Sequence, residues 1–298
     1  MKKYRIISDG SCDIPEEMAR ARGISVVPFY VTMDEKTYYK EGLEISQNDF
    51  YQWMVDNPDK YPKSSMPSAQ DFMDCFTEAA EAGEDIICIC ITQKFSSAYQ
   101  SACAAKEMLA ESHPETRVTV IDSIMDTVLQ GIYVLEGCRM RDEGAGYDEV
   151  VAALEEIKPS GRIFFTVGNI EYLKHGGRIG KLSGIAGTLL NIKPVIILKE
   201  GEIFSGGIAR SRAKTLEKVL KLMTDYLVEQ NWNPDEYTVV VGYGYDYSES
   251  VPFRDSVEKA LRPLGYDRQV EIFHIGATIS VHTGPYPLGV GILKHGKF

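Results

Sequence analysis

No run of apolar residues in this 298-residue sequence reaches the ~18 needed to cross a bilayer, which excludes a helical membrane span. The opening segment Met1–Asp9 is too poor in apolar residues for a signal peptide, so a cytoplasmic protein is expected. Cysteine pairing motifs are missing too. Cys12, Cys75, Cys88, Cys90, Cys103 and Cys138 contain no CxxC and read as reduced, core-packed thiols. Positive charge is in deficit, with 32 Lys and Arg against 43 Asp and Glu, a formal net charge of −11. Such a chain is a poor general binder of polyanions, which argues against nucleic acid and allows transient membrane contact at most.

Catalytic signatures are equally scarce. Gly180-Lys181 is followed by Leu182 and preceded at the fifth position by His175, so the phosphate-binding loop is not there. Gly242-Tyr243-Gly244 lacks the third glycine of a dinucleotide fingerprint. HExxH, GxSxG and the kinase motifs are absent, and His113, His175, His274, His282 and His295 show no metal-ligand spacing. Neither a metal nor a cofactor is expected.

What is present is an alternation of strands and helices. Hydrophobic residues make up 44% and charged residues 25%, and at ~150 residues per domain the length suggests two domains. Near-continuous apolar runs at 4–8, 25–31, 85–91 and 117–121 read as buried parallel strands. Helices are predicted over 15–22, 68–82, 96–110, 126–141 and 147–158. Pro159-Ser160-Gly161 then breaks the chain, which gives an N-terminal α/β domain of residues 1–158 and a C-terminal α/β domain of 159–298 with a mixed sheet. In the second half, strands are predicted at 162–167, 193–198, 237–243, 270–275 and 279–282. A hairpin partner is expected at 201–207, with helices over 211–230 and 250–261.

Hydroxyl-rich loops follow three predicted strands: Ser8–Ser11, Thr92–Ser97 and Asp122-Ser123. Ligands of open parallel sheets sit beyond the carboxyl ends of the strands, so these loops are expected to converge on one crevice. Ser96 opens a helix and reads either as a plain N-cap or as a hydroxyl that grips an anion. Ser64 and Ser65 precede another helix, which Ser68 caps. His282, at a strand end before Thr283-Gly284-Pro285, is either a structural group or a ligand partner. Asp13 reads as a cap. Two basic clusters, Lys174, His175, Arg178 and Lys181, then Arg210, Arg212 and Lys214, suit a phosphate, a partner's acidic face or plain solvent.

Taken in order, Ile7–Pro15, Lys63–Ser68, Phe95–Ala102, Val120–Ser123, Tyr172–Ile179, Leu190–Pro194 and His282–Pro285 resemble the DegV family of bacterial proteins over nearly the whole chain. The resemblance implies a two-domain α/β fold enclosing one long-chain fatty acid between the domains. It also implies a non-enzymatic carrier that presents the acid to a separate fatty acid kinase. By position, Ser96, Ser64 and His282 would hold the carboxylate, with Ser65, Ser97 and Thr283 as headgroup neighbours. Arg178, Arg210 and Arg212 would face the kinase. This sequence departs from the usual pattern at Gly10, Met66, Lys94, Ser97, Ala98 and Tyr286. The competing expectation is an acyl or phosphoryl transfer enzyme with Ser96 as nucleophile and His282 as base, which needs a third group to orient the histidine.

Overall fold

A computed structural model describes residues 3–182 and 193–298. The end of the Gly-rich segment, residues 183–187, and residues 190–192 of one family-like string lie outside it, as does the side chain of Lys181.

The first half begins with β1 (Tyr4–Asp9), α1 (Glu16–Ala21) and β2 (Ile24–Val27), followed by β3 (Tyr30–Thr32), β4 (Tyr39–Lys40) and α2 (Gln47–Asp56). Then come β5 (Lys63–Ser65), α3 (Ala69–Glu81), β6 (Asp85–Cys90), α4 (Ala98–Ser112), β7 (Val118–Asp122), α5 (Thr127–Asp142) and α6 (Tyr147–Ile157). A parallel sheet forms in the order β2-β1-β6-β7. All six residues of β6 are buried, as the continuous apolar run Ile86–Cys90 requires of a strand covered on both faces. Ser68 caps α3 in a reciprocal capping box with Asp71.

The expected strand over 25–31 is in fact two. Pro28 has no N–H for a ladder, and the chain changes sheets there: β2 joins β1, while β3 pairs with β4 and β5 in a small antiparallel sheet. The small sheet and α2 pack on C-terminal elements through a cluster of Val31, Phe50, Tyr51, Met54, Tyr172, Ala277 and Val281.

The second half continues with β8 (Arg162–Thr166), α7 (Glu171–His175), β9 (Lys193–Lys199), β10 (Glu202–Ala209), α8 (Arg212–Glu229) and β11 (Tyr237–Tyr243). It ends with α9 (Tyr247–Leu261), β12 (Glu271–His274), α10 (Ala277–Thr283) and β13 (Leu288–Lys294). The mixed sheet runs β10-β9-β8-β13-β11-β12, antiparallel except where β11 meets β12. Helix α5 touches β1 on one side and β11 and β13 on the other, and most of its residues are buried.

Two further expectations are corrected here. Residues 279–282 are helical, part of α10. Almost every residue of that segment is buried, so the alternation of Ala277, Ile279 and Val281 reflects enclosure rather than a pleat. Asp13 does not cap α1. It takes a left-handed φ of 48°, accepts a 2.5 Å hydrogen bond from Thr127 Oγ1 and faces Gly276 at the start of α10.

Candidate functional site

A cavity of about 280 Å³ is lined from both sides of position 158. Ser64 and Ser65 reach it from β5, and Ser96 and Ser97 from the loop between β6 and α4. His282 and Thr283 come from the end of α10, and Arg178 from the turn after α7. Seven residues singled out in the sequence therefore meet at one place. Arg210 and Arg212 do not line it. Arg210 is exposed, and both Nε and Nη2 of Arg212 bond to Glu249 at 2.8 Å.

Local structure sets each hydroxyl. The antiparallel register of β5 with β3 places Ser64 opposite Val31. Its Oγ lies 3.4 Å from His282 Nε2. Ser96 Oγ accepts from the backbone N–H of Ala98 at 3.2 Å. Ser96 is therefore not the N-cap itself, a position that Ser97 occupies, but as acceptor it steadies the entry to α4 from one residue earlier, and it lines the cavity. Ser97, at the N-cap position, makes no side-chain cap hydrogen bond.

His282 sits in a tight place. Burial, with Arg178 nearby, pulls its pKa down to about 4, so the ring is neutral at pH 7. Its Nδ1 faces the Gly176 backbone without a hydrogen bond of ordinary geometry. A Cβ at position 176 would collide with that nitrogen, so only glycine fits there. Gly177 follows with φ of +68°, and the turn delivers Arg178. The Arg178 guanidinium donates to the Phe95 carbonyl from Nε (3.0 Å) and Nη2 (2.8 Å), and to the Gly176 carbonyl from Nη1 (2.8 Å). One fixed positive charge thus stands beside the neutral histidine and ties the Ser96 loop to the α7 turn.

Behind this chamber lies a smaller one of about 30 Å³, walled by Val128, Ile163, Phe165, Ile275 and Ile279. Asp126, Phe165, Ile279 and Thr283 line both. Asp126 was not singled out in the sequence, because an aspartate at a helix entry reads as a cap. Burial pushes its carboxyl up to about 7, and Oδ1 has no hydrogen-bond partner among the described residues.

This geometry has relatives. A family model described as an uncharacterised protein of the DegV family matches residues 3–295. The chain belongs to the DegV family. A DegV domain-containing protein of Caldanaerobacter subterraneus subsp. tengcongensis is 31% identical over 97% of this chain and 98% of that protein. Among solved structures, a stearic acid-binding protein from Eubacterium ventriosum is 40% identical, with a TM-score of 0.93 over 98% of both chains. A fatty-acid-binding DegV family protein from Thermus thermophilus is 29% identical, with a TM-score of 0.87 over 99% of this chain and all of that one.

Of the departures from the usual DegV pattern, Met66 and Ser97 line the cavity and Gly10, Lys94, Ala98 and Tyr286 do not. Lys94 lines an outer recess with Gln93, Gly177 and Glu202 and is not among the residues lining the main cavity. Met66 lines the cavity and is 41% exposed. Tyr286 lies against Gly168 and meets Tyr245 edge-on.

Not every hydroxyl loop reaches the crevice. Ser8, Asp9 and Ser11 are fully buried in a network with Gln130, in which Asp9 also accepts from the Ile91 N–H at 2.8 Å. Their work is to join the ends of β1 and β6 to α5. The nucleophile arrangement is not assembled either. Among the described residues no hydrogen bond joins Ser96 to His282, no carboxylate orients the ring, and no group of three His, Cys, Asp or Glu could hold a metal.

Proposed function

We propose that this DegV protein binds one long-chain fatty acid in the cavity between its two halves and presents it to a separate fatty acid kinase for acyl-phosphate formation. The carrying observation is that Ser64, Ser96 and His282 line one cavity, backed by a smaller chamber whose wall is mostly apolar apart from Asp126, Thr127 and Thr283. The 40% identity to a stearic acid-binding protein supports the same ligand class. The division falls at 158/159, as the Pro159 breaker suggests.

The physics assigns each end of the ligand a role. Burying some fifteen methylenes at ~0.8 kcal/mol each gives a gross gain on the order of 10 kcal/mol, less the cost of ordering the chain. The carboxylate accepts hydrogen bonds from the Ser96 and Ser64 hydroxyls beside the His282 ring, with Ser65, Ser97 and Thr283 around it. Arg178 supplies long-range attraction while its N–H groups stay engaged by Phe95 and Gly176. A carboxylate gripped by neutral donors keeps an oxygen basic enough to accept a phosphoryl group. Arg178 and Arg210 form the surface offered to the kinase, and Arg212 braces it through Glu249. The protein is a carrier, and the kinase activity resides in its partner.

The test is reconstitution. Fatty-acid-loaded protein, a fatty acid kinase and ATP should together yield acyl-phosphate, trapped as the hydroxamate, with no product when any one is left out. Product formed without this protein, or none with all three, would contradict the carrier role.

A further inference from the structure

Asp126 is the group that the fatty-acid reading does not use. It precedes α5, where an aspartate ordinarily accepts from its own helix's first N–H groups. Here it makes no side-chain cap hydrogen bond, and Oδ1 is out of solvent contact with no partner among the described residues. The entry to the helix departs from ordinary cap geometry at the residue after Asp126. Asp126 is extended (φ −148°), and Thr127 follows at φ +44°, a left-handed conformation that is costly for a β-branched residue. Asp13 holds the Thr127 hydroxyl at 2.5 Å and so secures that turn.

The neighbouring polar groups are already satisfied. Glu41 accepts from the N–H groups of Ala277 and Thr278 and from the Thr278 hydroxyl. The Thr283 hydroxyl reaches the carbonyls of Ile279 and Gly284. Asp126 lines both chambers with a carboxyl whose Oδ1 has no hydrogen-bond partner among the described residues. Ser64, Ser96 and His282 line only the outer one, so Asp126 stands further along the path of a tail than the headgroup donors do.

We propose that this cavity takes a long-chain acid carrying a hydroxyl on its acyl chain, and that Asp126 is the residue that recognises that hydroxyl. The proposal rests on the fatty-acid reading and names the ligand within that class. Packing methylenes against Asp126 leaves a buried carboxyl unpaired, whereas a chain hydroxyl satisfies it. The hydroxyl donates to the ionised carboxylate and accepts from the protonated acid. With the pKa raised to about 7, both forms are present near neutrality and both make the bond.

Displacement of a fluorescent fatty acid by stearate, 10-hydroxystearate and 12-hydroxystearate tests this on the full chain. The wild type should favour at least one hydroxy acid over stearate by about tenfold or more. Asp126→Leu should abolish or reverse that preference by tightening stearate, and Asp126→Asn, which keeps hydrogen-bonding atoms and guards against misfolding of the leucine variant, should retain part of it. Equal wild-type affinity for all three acids would overturn the inference and leave the fatty-acid reading standing. Failure to bind any of them would overturn both.

Discussion

Ser64 Oγ and His282 Nε2 lie 3.4 Å apart although 218 residues separate them in the chain. The contact joins β5, in the small antiparallel sheet, to the C-terminal end of α10. Any group that enters between them meets two neutral polar side chains.

Ser96 is the third member of that set. Ser96→Ala should weaken fatty-acid retention by about tenfold to a hundredfold, since a hydrogen bond to a charged group contributes ~1.5–3 kcal/mol. Ser101→Ala, one turn further along α4 with its Oγ 4.0 Å from Met66 Sδ, should change it little. Displacement titrations of the two variants compare them directly, and equal effects would remove Ser96 from the headgroup role.

The histidine should stay uncharged well into acid. Its folded pKa of about 4 lies below the unfolded value near 6.5, so between those limits the unfolded chain binds the proton more readily. The resulting contribution to stability, at most ~3 kcal/mol, is complete above pH 6.5 and lost as the pH falls toward 4. NMR of the imidazole should show no protonation at pH 5.5. His282→Gln should flatten the fall in thermal midpoint between pH 7 and pH 4.5.

Gly176 holds the ring in place by having no side chain. Gly176→Ala would push His282 off Ser64, because the new methyl would fall on Nδ1. Fatty-acid affinity should drop by about tenfold or more while the far-UV spectrum is retained. Unchanged affinity would show that the ring position is unimportant.

Much of this was legible in advance, and the reasons differ by element. The parallel strands announce themselves as short β-branched runs, and Ser68 with Asp71 writes its capping box openly. The central strand β13 was hidden, because Gly289 and Gly291 dilute the apolar pattern. Gly289 is there for space, since a Cβ at that position would strike Phe165. Helix α2 was also missed, since polar residues interrupt its apolar stripe. The convergence of Ser64, Ser96 and His282 was suggested by family resemblance, while Arg178, expected to face a partner, also lines the cavity. Asp126 could not be read at all, because the departure from cap geometry lies in the unusual φ of Thr127.

Ile279 is one of four residues that line both chambers, so in the proposed binding mode it stands between head and tail. Ile279→Trp should close the way between them. Stearate binding should fall by at least tenfold, while octanoate, short enough to remain beside the headgroup donors, should be nearly unaffected. A parallel loss of both acids would place the tail elsewhere.

The most direct measurement is mass spectrometry of the small molecules released when freshly purified protein is denatured. A long-chain acid of about C14 to C18, near one per chain, is the result expected, with the cavity refilling when stripped protein is given free acid. Protein that is repeatedly recovered empty, and that takes up no added fatty acid, would contradict the central claim.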